Sequence, residues 1–102
     1  MHATIRRYEV LPQDVPTLRE RVREGFLPIV RAIPGFVAYD LIEAENGVVI
    51  SVSVFEAEAG TAESTRRAAE WVDQAAADVI HQARQVTSGE VVIHEGAAPP
   101  AP

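Results

Sequence analysis

Two arginines stand side by side near the start of the chain, Arg6 and Arg7, inside a stretch that reads as a strand. Adjacent strand residues point to opposite sheet faces. If both faces are covered, at least one guanidinium is partly buried and needs a partner. Asp40 is the candidate partner, as the only charged residue on the interior of its strand face. Three roles are open: an ion pair that serves structure, a site for an anion or phenolate, and an exposed sheet edge. Tyr39 and His81 are the other groups suited to holding or moving a proton. Phe26, Tyr39, Phe55 and Trp71 are the aromatics able to grip an apolar ligand.

Other chemistries find little support. Ser51 and Ser53 have no Gly-x-Ser-x-Gly elbow around them, so a hydrolase triad is not expected. His2, His81 and His94 are isolated from one another and from carboxylates at ligand spacing. There is no cysteine and no His-Glu-x-x-His, so no metal site is expected. The glycines do not cluster into a phosphate-cradling loop. Glu63 with Arg67, and the run Arg19, Glu20, Arg23, Glu24, read as solvated helix faces.

These residues must be held by a small set of elements. Residues 3–10 read as a strand bounded by Pro12. A helix follows, with Asp14 as N-cap and Pro16 in its first turn. Val15, Leu18, Val22, Phe26, Ile29 and Ile33 make one buried stripe at about 100° per residue. Pro28, with Gly25 beside it, predicts a kink in this helix. Pro34-Gly35 ends it, and residues 36–44 form the second strand.

Asn46-Gly47 suits a two-residue hairpin turn. That turn sets Tyr39 opposite Val54, Leu41 opposite Val52 and Glu43 opposite Ile50, with Asp40, Ser51, Ser53 and Phe55 on the other face. Residues 61–80 read as a second helix, its inner side lined by Thr65, Ala69, Val72, Ala76 and Val79, flanked by Ala68, Trp71 and Ala75. Residues 82–88 read as a loop and 89–95 as a last strand. An Ala/Pro tail, 96–102, has nothing to bury and is expected to be disordered.

At 102 residues the chain is one domain, expected over 1–95. The order βαββαβ is that of an α+β ferredoxin-like sandwich, a four-stranded antiparallel sheet with two helices on one face. The strand from Val48 to Phe55 is apolar on both faces, so the second sheet face also needs cover. A homodimer provides it. Net charge is −6, which argues against a nucleic-acid partner. No apolar run reaches the ~20 residues of a membrane helix, and no secretion leader is seen; a cytoplasmic location is expected.

The helix running into Pro34-Gly35-Phe36, the Tyr39 strand, the Asn-Gly hairpin and the strand through Val54-Phe55-Glu56 resemble the antibiotic biosynthesis monooxygenase (ABM-like) family of dimeric α+β barrels. The resemblance covers about residues 3–95. It implies a cofactor-independent monooxygenase acting on a hydrophobic phenolic or polyketide-like substrate between helices and sheet. Such an enzyme needs a dry pocket, a base to form the substrate anion and donors to hold it. Tyr39, His81, Arg6 and Arg7 are the candidates for base and anion holder, and Phe26, Tyr39, Phe55 and Trp71 for substrate contact.

Two other activities occur within such a family. One is non-catalytic binding or sensing of a small molecule by the same dimer. The other is haem degradation, whose relatives carry a similarly spaced Trp–His pair. Against haem, Trp71 sits late in its helix, His81 projects opposite Val72, and the first strand offers Arg6 and Arg7 where an Asn is expected.

Overall fold

The computed structural model describes residues 1–80 and 85–97. His81, the first part of the expected loop (82–84) and the end of the expected tail (98–102) lie outside the described residues. Strand β1 (His2–Glu9) alternates as its sequence demands, with Thr4, Arg6 and Tyr8 buried and Ile5 exposed. It pairs antiparallel with β3 (Val48–Phe55) on one side and with β4 (Gln85–Glu90) on the other. Strand β2 (Phe36–Glu43) completes a four-stranded antiparallel sheet of order β2-β3-β1-β4. With helices on one face, this is the expected α+β ferredoxin-like arrangement.

The first helix is broken where Pro28 requires it. Helix α1 (Val15–Arg21) carries Pro16 in its first turn, and Asp14 precedes it without making a side-chain cap bond. Pro28 has no N–H to return to Glu24. The chain widens into a π-helical turn over Val22–Phe26, closed by Leu27 N–H to Val22 O, and resumes as α2 (Leu27–Arg31). The extra residue shifts the phase of the stripe. Leu18, Val22, Phe26, Val30 and Ile33 are the buried positions, and Val30 takes the place that a regular helix would have given to Ile29.

The hairpin corrects the expected register by one residue. Its loop has three residues, Glu45–Gly47, with Asn46 (φ 59°) and Gly47 (φ 77°) both left-handed, closed by Ala44 N–H to Val48 O at 2.8 Å. Gly47 is obligatory there. Its carbonyl accepts from Val10 N–H at 2.9 Å, and a Cβ would stand 2.0 Å from Val10 O. The longer loop places Tyr39 opposite Ser53, Leu41 opposite Ser51 and Asp40 opposite Val52. A slip of one position exchanges the two faces of one strand relative to the other. Tyr39 and Leu41 therefore share the helix-covered face with Val49, Ser51, Ser53 and Phe55, while Asp40 points the other way and is exposed.

Helix α3 (Glu58–Ala75) starts and ends earlier than expected and buries Gly60, Thr61, Ser64, Ala68 and Val72. Gly60 sets its rotation, because a Cβ there would meet the Phe55 ring at 2.5 Å. Ala76 and Val79 are buried just beyond the helix, and Ile80 bridges to Val10. The last strand is also displaced. Strand β4 occupies Gln85–Glu90 rather than 89–95, and residues 91–97 follow it outside any regular element. The sheet face away from the helices carries Ile5, Ile42, Ile50, Val52 and Val54, a broad apolar surface.

Candidate functional site

Between the helices and the sheet lies an aromatic pit. Phe26, from the widened turn, stacks on Tyr39 of β2 (centroids 5.7 Å apart, tilted by 57°) and on Trp71 of α3 (5.6 Å, 50°). Aromatic pairs at these separations favour tilted packing. Gly25 makes the Trp71 contact feasible, since a Cβ there would stand 2.8 Å from the indole Nε1. Tyr8, Leu41, Ala68 and Ile80 supply further walls. The space within it is only about 20 Å³, room for a single water. Outside it, sharing Val22, Tyr39 and Leu41 with the pit, runs an open groove of about 340 Å³ bordered by Arg19, Arg23, Leu27 and Glu43. The groove is large enough for a small ligand, and the pit adjoins it through these shared residues.

Arg6 is the inward arginine, wholly buried at 0% exposure. Its expected partner Asp40 is on the opposite face, a direct result of the register. Its contacts are hydroxyls: Nη2 donates to Ser53 Oγ (3.0 Å), and Nη1 to Thr65 Oγ1 (3.2 Å) and Ser64 Oγ (3.5 Å), while Nε has no hydrogen-bond partner. A guanidinium out of water with neutral partners alone is costly. Among the described residues no carboxylate bonds to it. Arg7 faces the open side of the sheet and pairs with Glu9 at 3.0 Å.

Tyr39 is held in its phenol form. Burial raises its pKa well above the ordinary tyrosine value, and Tyr8 adds to the rise; Arg6 and Ser51 pull the other way and do not prevail. The help from Ser51 is weak, because its buried Oγ completes no hydrogen bond. Tyr39 is thus a donor at neutral pH, not a base. Phe55, expected at the pit, lies elsewhere: it is fully buried, edge-on to Phe36 (5.9 Å) and beneath Gly60. The structure brings together Phe26, Tyr39 and Trp71 with Arg6 behind them. Leu41 and Tyr8 escaped the sequence reading; for Leu41 the reason is the hairpin register, since only the observed one turns the Tyr39–Leu41 side of β2 toward the helices.

The architecture has close counterparts among solved structures. A protein of unknown function from Nitrosomonas europaea superposes with a TM-score of 0.79 at 19% identity, covering 96% of this chain and 95% of its own. A Streptomyces coelicolor monooxygenase from ActVA-Orf6, solved with nanaomycin D, gives 0.71 at 18% identity over 98% and 92%. The Mycobacterium tuberculosis haem degrader MhuD, with two haems in its active site, gives 0.73 at 20% identity over 94% and 100%. The chain has the fold of the antibiotic biosynthesis monooxygenase-like proteins. No family model matches the sequence, and no curated protein matches it. At such identities the ABM-like fold is shared, while the site residues must speak for themselves. Among the described residues no helix is long and apolar enough to cross a membrane.

Proposed function

We propose that the protein is a small cofactor-independent monooxygenase that accepts a hydrophobic, acidic aromatic such as a phenol or quinol. The observation that carries this reading is Arg6, a buried cation without a carboxylate partner among the described residues, set behind Tyr39 at the inner end of an aromatic groove. An ionised oxygen on a ligand would supply the missing counter-charge, and the Tyr39 hydroxyl would donate to it. The ligand's rings would enter along the groove and part Phe26 from Trp71. A substrate anion is electron-rich enough to reduce O2 unaided. One oxygen atom becomes a ring carbonyl where a CH2 of the keto tautomer stood. The other leaves as water, with all four electrons drawn from the substrate.

The second reading is a dimeric binding or sensing module without turnover. It is favoured by the described lining of the pit, which offers two phenols, an indole and apolar side chains but no carboxylate or imidazole. Oxygen consumption with dihydroxyanthracene-type compounds separates the two. Uptake with a bound quinone product supports the oxygenase. Thermal stabilisation without uptake supports the binding module, and neither effect removes both. Haem degradation ranks third, and absence of a Soret shift on mixing with haem would dismiss it.

The working unit of this reading is a homodimer. The apolar face bearing Ile5, Ile42, Ile50, Val52 and Val54 supports it, since an antiparallel sheet facing water alternates to polar residues. Sedimentation at micromolar concentration tests it, with a folded monomer as the contrary result.

A further inference from the structure

The groove beside the pit has a defined length. Its floor is one face of β2, where Tyr39, Leu41 and Glu43 fall at alternate positions. Its wall is the broken first helix, which contributes Arg19, Val22, Arg23 and Leu27. Wall and floor meet at both ends. At one end Phe26 stacks on Tyr39, centroids 5.7 Å apart. At the other, Arg19 grips both carboxylate oxygens of Glu43, Nε to Oε2 at 2.6 Å and Nη2 to Oε1 at 2.8 Å. Helix and strand thus run antiparallel along the groove. From Tyr39 to Glu43 the floor extends about 13 Å, at about 3.3 Å per residue. Arg23 stands between these ends on the helix side.

The groove also has a charge of its own. Two guanidinium groups and one carboxylate line it, a net positive lining on a chain of net charge −6. The two cations are not equivalent. Arg19 is committed to Glu43 through two hydrogen bonds that tie helix to strand. Among the described residues Arg23 bonds only to Glu20, three residues away on the same helix, at 2.7 Å. Both side chains of that pair are more than half exposed, 62% and 51%. Exposed local pairs are weak, so the Arg23 guanidinium is free to change partner.

We propose that Arg23 is a specificity-determining residue that pairs with a carboxylate at the far end of the aromatic ligand. The inference rests on the reading that an acidic aromatic occupies this groove, and it narrows the ligand class to a fused-ring hydroxy acid with its two acidic groups at opposite ends. The hydroxyl end meets Tyr39, with Arg6 behind it. The outer ring lies over Leu41, between Val22 and Leu27. The carboxylate reaches Arg23, whose planar guanidinium matches it with two parallel hydrogen bonds. Arg19 neutralises Glu43, so the one carboxylate of the lining does not oppose the incoming one.

The test compares a hydroxynaphthoic acid, its two groups on opposite rings, with the naphthol that lacks the carboxylate. Each is titrated calorimetrically into the full chain at neutral pH and low salt. The expected result is that the acid binds at least tenfold more tightly, and that added salt shrinks this ratio. In Arg23→Gln the ratio of the two affinities should fall to near one. In Glu20→Gln, which releases Arg23 from its partner, the ratio should widen. A ratio near one in the unaltered protein, or a tenfold ratio that survives Arg23→Gln, overturns the role of Arg23 and leaves the acidic-aromatic reading standing. Failure of both compounds to bind overturns that reading and this inference together.

Discussion

Arg6 reaches across β3 to Ser53, Nη2 to Oγ at 3.0 Å, and Ser53 stands directly opposite Tyr39 in the β2–β3 pairing. This places the one wholly buried charge of the sheet behind the hydroxyl best situated to greet a ligand. Replacing Arg6 by Met removes a buried ion and keeps an unbranched side chain. Exchanges of this kind are often neutral or stabilising, so unfolding stability should change by less than about 2 kcal/mol. Binding of an acidic aromatic should fall at least tenfold. Chemical denaturation and fluorescence titration measure the two effects. A large loss of stability with binding retained would assign Arg6 to structure alone.

Arg7 provides the contrast. Its ion pair with Glu9 is partly exposed, and such pairs contribute about 0–1 kcal/mol. Arg7→Met should leave ligand binding unchanged, and a loss comparable to that of the Arg6 variant would refute the assignment of faces.

Trp71 is the only tryptophan and sits in the pit wall, so intrinsic fluorescence reports on the site. An aromatic ligand entering the pit should quench it. Gly25→Ala forces a Cβ to within 2.8 Å of Nε1 and should shift the emission maximum while the far-UV spectrum is preserved. Unaltered emission would mean that the indole is packed elsewhere.

Gly60 lies against the buried Phe55 ring, and Gly60→Ala would press on it at 2.5 Å. Overpacking of this kind costs about 1–3 kcal/mol. Urea unfolding should show a lowered midpoint with an unchanged slope. A stabilised variant, as helix propensity alone would favour, would show that α3 can lift off the sheet freely.

Two titrations have defined signs. Glu63 is held from its ordinary 4.5 to about 2 by Arg66 and then Arg67, with Arg67 Nε 2.8 Å from its Oε1. A lowered carboxylate pKa contributes stability above the unfolded value, and that contribution is lost as pH falls through the folded one. The Glu63 share should therefore fade between pH 4.5 and about 2, and Glu63→Gln should flatten that limb. Tyr39 acts at the other end. Its raised pKa means that its contribution is intact below pH 10, the ordinary value, and is lost above it. Tyr39→Phe should reduce the alkaline loss, followed by tyrosinate absorbance together with circular dichroism.

Element order, the helix break and the apolar second face were legible in the sequence, because each rests on local chemistry: Pro28, Pro34-Gly35, and the unbroken run from Val48 to Phe55. The register was not. Asn46 and Gly47 do take left-handed conformations, but the loop length depends on Gly47 passing under Val10, a contact that local spacing does not encode. From that single residue follow the misplacement of Asp40 beside Arg6, the wrong face for Tyr39, and the omission of Leu41. The last strand was misplaced for the opposite reason. Val91-Val92-Ile93 carries the strongest strand signal in its region, whereas the residues that enter the sheet, Gln85–Glu90, are exposed and, Val86 apart, polar or glycine.

The widened turn at Val22–Phe26 holds one residue more than a regular coil of the same height. A surplus of this kind can be passed along a helix without lengthening the chain or breaking more than one main-chain bond at a time. Here Pro28 pins it, because regular bonding at that position would bring the ring against the carbonyl of Glu24. The wall of the pit is thus set by the backbone, which turns Phe26 onto the indole of Trp71.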